Sequence, residues 1–145
     1  MKKKAMRSSL IAMLITVILE ILPYGAVLNF AAAPNKTIRK TFSYFSLTPF
    51  FYASFTPLLT AILTVITIIM SVIILMKKTI LPKLVNATFV CIIIAFLLSI
   101  TPLIVVGLRC FSIVGMLISI SLLVAATFLV VYKKVNCIYI GKIME

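Results

Sequence analysis

The stretch from Pro57 to Met76, PLLTAILTVITIIMSVIILM, is twenty residues without a charge, entered through Thr56 and closed by Lys77 and Lys78. At ~1.5 Å rise per residue, a helix of that length crosses the hydrocarbon core of a bilayer. Its polar residues are all hydroxyls. Thr60, Thr64, Thr67 and Ser71 recur three or four positions apart, which puts them on one stripe of a helix. Membrane helices associate through small and hydroxylated residues, so this stripe is the predicted packing face and the Ile, Leu and Val remainder the lipid face. Thr56 before Pro57 reads as a hydroxyl N-cap with proline at the first helical position.

Working outward, three more stretches have the same character: Ser8–Asn29, Leu84–Gly107 and Phe111–Tyr132. Each carries a comparable stripe. The first has Ala12, Thr16, Glu20 and Pro23, with Pro23 expected to kink the helix and not to stop it. The third has Cys91, Ala95 and Ser99, and the fourth Ser112, Gly115, Ser119 and Ala126. Thr79 to Lys83 makes a tight connection between the second and third stretches, and Leu108 to Cys110 a shorter one between the third and fourth, so the last two form an antiparallel hairpin of helices. The expected fold class is therefore an all-α membrane protein. Residues 1–145 form a single domain, a bundle of four transmembrane helices with spans near 8–29, 57–76, 84–107 and 111–132.

Composition agrees. Hydrophobic residues make up 64% of the chain, against roughly half in soluble domains. The formal charge of +12 comes from fourteen cations and two acids, and every cation lies between spans or near an end. That placement fits contact with anionic lipid headgroups, not nucleic acid, for which no separate basic domain exists. Lys2, Lys3, Lys4 and Arg7, then Lys77, Lys78 and Lys83, then Lys133, Lys134 and Lys142 fall on one side of a four-span topology. Lys36, Arg39, Lys40 and Arg109 fall on the other. Ten cations against four predict both termini in the cytoplasm. The Lys-rich start and Ala31-Ala32-Ala33 have the outline of a cleaved signal peptide. Pro34 beyond the scissile bond, the length of the apolar run and Glu20 within it favour retention as a first span.

The chain has no histidine, aspartate or tryptophan, and its two glutamates are Glu20 and Glu145. Carboxylate pairs, serine triads, Cys–His dyads and the usual zinc and calcium ligand sets cannot be assembled from it, and its glycines form no phosphate loop. The expectation is a protein that is not an enzyme and holds no cofactor or metal. Cys91, Cys110 and Cys137 show no CxxC spacing, and the topology sets them at three different depths.

Between the first two spans, residues 30–56 form the one sizeable outer loop. Its second half is dense in aromatics, Phe42, Tyr44, Phe45, Phe50, Phe51, Tyr52 and Phe55, mixed with Ser and Thr. Such a segment is expected at the membrane–water interface, with rings among the acyl chains and hydroxyls in water. Its functional alternative is a surface that binds lipid or a partner.

Glu20 is the single acid at membrane depth, placed by the 8–29 span roughly 13 Å from the outer helix end. A carboxyl there is expected to hold a proton or find a polar partner. Thr64, Thr67, Ser99 and Ser119 fall near its depth and are the expected surroundings, with Glu20 the candidate proton or cation site. Arg109 lies about 15 Å farther out by rise alone, too far to pair directly.

Two resemblances follow from these residues. Four helices with a glutamate in the first resemble in plan the small multidrug resistance exporters, which implies proton-coupled export through Glu20. The chain departs from them in lacking tryptophan and a glycine-rich third helix, and in its longer first loop. More broadly, Glu20-Ile-Leu-Pro23-Tyr-Gly25 and Thr41-Phe-Ser-Tyr44-Phe, with the Ile-, Lys- and Phe-rich usage, resemble the small four-span proteins of low-GC Gram-positive bacteria, which implies a plasma-membrane location and no particular activity. The expected function is accordingly that of an interaction, accessory or protective membrane component, partnered by lipid, another membrane protein or a second copy. The alternative is a proton-coupled transporter of small molecules or cations.

Overall fold

The computed structural model describes residues 2–33, 36–48, 55–77, 82–107 and 112–141. Four helices account for most of them: α1 (Lys2–Ile21), α2 (Thr56–Met76), α3 (Pro82–Val106) and α4 (Ile113–Gly141). Between α1 and α2 lie two strands, β1 (Ala26–Ala33) and β2 (Lys36–Phe42), paired antiparallel from Ala26↔Phe42 to Ala33↔Lys36 with an irregularity between Ala31 and Ala33. Stretches α2, α3 through Ile104 and α4 through Val135 are long and apolar enough to cross a membrane. The chain is a multi-pass membrane protein.

The helices form a closed ring. Helix α1 packs on α4 and α2, α2 on α3, and α3 on α4. Cross-helix contacts give the directions: Ser9 with Ala125 and Thr16 with Ser121 run antiparallel, as do Met13 with Ser71 and Glu20 with Thr64. The predicted stripes point inward. Ala12, Thr16, Glu20, Thr60, Thr64, Thr67, Ser71, Ala95, Ser99, Ser112, Ser119 and Ala126 are all buried, while Ile11, Ile18, Ile69, Leu97 and Ile120 are exposed on the outer faces. Pro23 and Cys91 depart from the pattern, the first exposed and the second half-buried. Small residues inside let backbones approach, and aliphatic residues outside suit lipid.

Several boundaries differ from the sequence reading, each for a local reason. The first helix stops at Ile21 and does not run to Asn29. Proline disfavours helical geometry in the residue before it, so Pro23 ends the helix, and the chain that follows enters β1 instead. The expected interfacial loop thus begins as a hairpin. Helix α2 is capped by Phe55 without a side-chain bond, so Thr56 is its first residue and not its N-cap. Helix α3 ends at Gly107, whose φ of 81° and N–H bond to the Leu103 carbonyl (3.1 Å) make the left-handed terminator that glycine favours. Ser112 opens α4: its hydroxyl accepts the Gly115 N–H at 2.8 Å, a serine N-cap. That helix runs to Gly141, beyond the expected end at Tyr132.

Two apolar clusters fill the bundle. One, toward the α1 N-terminus, joins Met6, Met13, Ile74, Val85, Ile92 and Leu129. The other, toward the hairpin, joins Ala26, Tyr44, Ala61, Ala95, Ile118 and Leu122.

Candidate functional site

Glu20 occupies the last turn of α1 but is 0% exposed. The expected position, well inside a longer helix, is therefore corrected, yet the carboxyl is still deep. Its Oε1 accepts the Thr64 hydroxyl at 2.9 Å, and Thr64 lies eight residues into α2, ~12 Å from that helix's N-terminal end. Helix α1 ends near the level of Thr64, below the start of α2, and the chain leaves it as non-helical backbone. Glu20 Oε2 is buried and has no hydrogen-bond partner among the described residues.

The hydroxyls around it are ordered by backbone bonds of their own. The single Thr64 hydroxyl proton is shared between Glu20 Oε1 and the Thr60 carbonyl (2.8 Å), and Thr67 donates to the Thr64 carbonyl (2.8 Å). Ser99 and Ser119 meet across α3 and α4 at 2.8 Å, and Ser119 also reaches the Gly115 carbonyl at 3.0 Å. Of the five residues singled out from sequence, Glu20 and Thr64 are in direct contact and Ser99 and Ser119 form a second pair. Thr67 is tied to the backbone beneath.

Tyr44 connects these pairs, and here the sequence reading is overturned. Placed at the interface with the other aromatics, Tyr44 is instead 2% exposed and packed in the hairpin-side cluster. Its N–H donates to the Glu20 carbonyl at 2.9 Å, and its hydroxyl stands close to Ser99. Burial pushes the phenol up to about 12, with Ser99 opposing the rise and Glu20 adding to it, so the ring stays neutral at physiological pH. Of the remaining aromatics, Phe42 is half-buried on the hairpin root, while Phe45 and Phe55 are exposed. Phe50, Phe51 and Tyr52 lie outside the described residues.

Small residues make room for the ring. A Cβ on Gly25 would stand 2.8 Å from Tyr44 Cδ1, and one on Gly115 would stand 3.4 Å from the Tyr44 hydroxyl. Ser112, besides capping α4, donates to the Gly25 carbonyl at 2.7 Å. The turn after α1, the turn after β2 and the start of α4 thus meet at one point. The sequence reading quoted Glu20 to Gly25 and Thr41 to Phe45 as segments without seeing that they touch. The spacing of Gly25 and Gly115 carries no signal in one dimension.

No group of three or more metal-binding side chains occurs among the described residues. The chain matches no protein-family model, no curated protein and no solved structure.

Proposed function

We propose that this chain is a four-span protein of the cell membrane, both termini cytoplasmic, that acts by interaction as an accessory or protective component and catalyses no reaction. The observation that carries the reading is the position of the polar layer. Glu20, Thr64, Ser99 and Ser119 are buried among the side chains of two apolar clusters, one built on Met6, Met13 and Ile92, the other on Tyr44, Ile118 and Leu122. A bundle packed on both sides of its acid is closed to solutes in this conformation. What remains for function is its surface: lipid-facing aliphatics and a hairpin that exposes Ile38, Arg39 and Lys40.

The orientation and the count of four spans rest on charge. Lys4, Arg7, Lys77, Lys83, Lys133 and Lys134 gather at the end of the bundle opposite the hairpin, where anionic headgroups of the inner leaflet would meet them. Helix α1, with Lys and Arg confined to its first two turns, completes the crossing. This fits the resemblance to small four-span proteins of low-GC Gram-positive bacteria.

A second reading, proton-coupled transport, is favoured by one observation, the buried and unpartnered Glu20 Oε2. Intramembrane acids are functional by default. Proton and potassium flux through purified protein in liposomes separates the two readings. Silence from both the native chain and Glu20→Gln is the expected result. Native flux abolished by the substitution would overturn the interaction reading in favour of transport.

A further inference from the structure

We propose that the crevice between α3 and α4 at the basic end of the bundle binds one anionic phospholipid, with Lys133 on its phosphate and its acyl chains along the flanking aliphatic faces. The inference deepens the interaction reading by naming a partner, and rests on that end of the bundle meeting the headgroups.

The site starts from one contact. The Lys133 ammonium lies 5.5 Å from the centre of the Phe89 ring, a cation held over an aromatic face. Helix geometry explains why the two meet. Counted from the Ser99–Ser119 contact, Phe89 is ten residues away along α3 and Lys133 fourteen along α4, ~15 Å and ~21 Å by rise. Side chains lean toward the N-terminus of their own helix. In this antiparallel pair Phe89 therefore leans outward and Lys133 inward. The ammonium is drawn back toward the hydrocarbon, and Lys133 is half-buried. Helix α3 marks the boundary beside it. The stretch from Ala87 to Gly107 carries no charge, while Asn86 and Lys83, one and two turns outward from Phe89, are exposed.

A cation so placed calls for an anion, and the described chain supplies none at this end. Its two acids are Glu20, near the hairpin, and Glu145, which lies outside the described residues. Lys83 and Lys134, both exposed, add to the local positive charge. The neighbouring surface selects the kind of anion. Val90 on α3 and Val130 on α4, one position and one turn from the contact pair, are 53% and 46% exposed. A dissolved anion would have to leave water to reach an ammonium bordered by aliphatic side chains. A phospholipid already in the bilayer presents its phosphate at that depth and lays its chains along the valines. Basic pockets between membrane helices hold anionic headgroups in this way. A zwitterionic headgroup would bring its own cation among Lys83, Lys133 and Lys134, so the lipid that fits carries net negative charge.

The test uses the full chain in detergent, titrated with phosphatidylglycerol or phosphatidylcholine, and counts bound lipids by native mass spectrometry. Native protein is expected to take up one phosphatidylglycerol ahead of any further lipid and in preference to phosphatidylcholine. Lys133→Gln is expected to weaken that first binding about five-fold or more, the worth of one cation at a lipid surface, and Lys133→Arg to retain it. Phe89→Leu removes the ring but leaves an apolar side chain. It is expected to weaken the first binding as well, which keeps the test open if Lys133→Gln fails to fold. Lys4→Gln and Lys77→Gln change the charge equally on other helices and are expected to stay within about two-fold of native, as independent sites do. Equal loss in all three glutamine variants, or a first lipid bound without preference for phosphatidylglycerol, would overturn the site. Displacement of the bound lipid by millimolar inorganic phosphate would overturn the lipid as its occupant. These failures leave the interaction reading standing, whereas proton flux abolished by Glu20→Gln overturns that reading and leaves the lipid site untouched.

Discussion

The backbone N–H of Tyr44 donates to the carbonyl of Glu20 at 2.9 Å, so the last turn of the first helix is finished by a residue beyond the hairpin. Orphan carbonyls at a helix end need a donor, and here that donor also carries a ring buried against Gly25 and Gly115. Helix ending and hairpin closure are one arrangement.

Gly25→Ala tests how tightly the ring is seated. A methyl 2.8 Å from Tyr44 Cδ1 must push the ring or the turn aside, and overpacking of this kind costs about 1–3 kcal/mol. A drop in thermal unfolding temperature in detergent is expected. In a Tyr44→Ala background the same change should cost much less, because the two residues share the contact. At Gly107 the mechanism differs. Among the described residues nothing lies within 4 Å, but φ is 81°, so Gly107→Ala should lose about 1 kcal/mol to backbone strain, whatever stands at position 44.

Ser112 does two things at once, accepting the Gly115 N–H and donating to the Gly25 carbonyl. Ser112→Ala removes both and should cost about 1–2 kcal/mol. Ser112→Asp separates them, since a carboxylate caps the helix well but sets an acceptor against the Gly25 carbonyl. The expected order of unfolding temperatures is native, then Ala, with Asp no better than Ala. Asp at the native level would show that only the cap matters.

The ring order of the helices can be checked by disulfide trapping. Thr16 and Ser121 are in hydrogen-bond contact across α1 and α4, while Ser71 reaches Met13 Sδ at 3.6 Å across α2 and α1. With Cys91, Cys110 and Cys137 replaced, the pairs Thr16→Cys with Ser121→Cys and Met13→Cys with Ser71→Cys should each oxidise to an internal cross-link. Thr16→Cys with Ala95→Cys, from α1 and α3, should not. Trapping of that third pair would contradict the arrangement in which α1 packs on α2 and α4.

The Ser99–Ser119 bond should prove weak. Hydrogen bonds between membrane helices average about 0.6 kcal/mol in double-mutant cycles, and Ser119 keeps the Gly115 carbonyl when Ser99 is lost. Ser99→Ala and Ser119→Ala are therefore expected to couple by no more than about 1 kcal/mol. A larger coupling energy would mean that the hydroxyl layer acts as a cooperative unit.

Much of the bundle was legible because membrane packing inverts the usual pattern, putting small and hydroxylated residues inside. Thr60, Thr64, Thr67 and Ser71 give one buried face of α2 from spacing alone. What escaped was decided by single backbone events. Pro23 ends α1 where an apolar run continues, because the run measures hydrophobicity and not the geometry a proline permits. Tyr44 reads as one more interfacial aromatic, and only folding brings it against Gly25 and Gly115 and into a cluster with Ile118 and Leu122, residues up to ninety-seven positions apart. Glu20 and Thr64 were paired by counting helical rise, which worked although α1 ends eight residues early, because the count along α2 was right.

Glu20→Leu addresses why the acid is there. The Thr64 hydroxyl that contacts Oε1 also donates to the Thr60 carbonyl at 2.8 Å, so removing the carboxyl leaves no orphaned donor. Removing Oε2 eliminates a buried polar atom without a partner among the described residues, a group whose desolvation costs about 1–3 kcal/mol. Leucine is close enough in size to avoid a large cavity. Glu20→Leu is therefore expected to match or exceed native thermal stability, and Glu20→Gln to lie near native. Because a residue that lowers stability is kept where function requires it, a stabilised leucine variant would argue that the carboxyl serves a purpose other than holding the bundle together. A leucine variant that unfolds well below native would instead make Glu20 a structural polar contact.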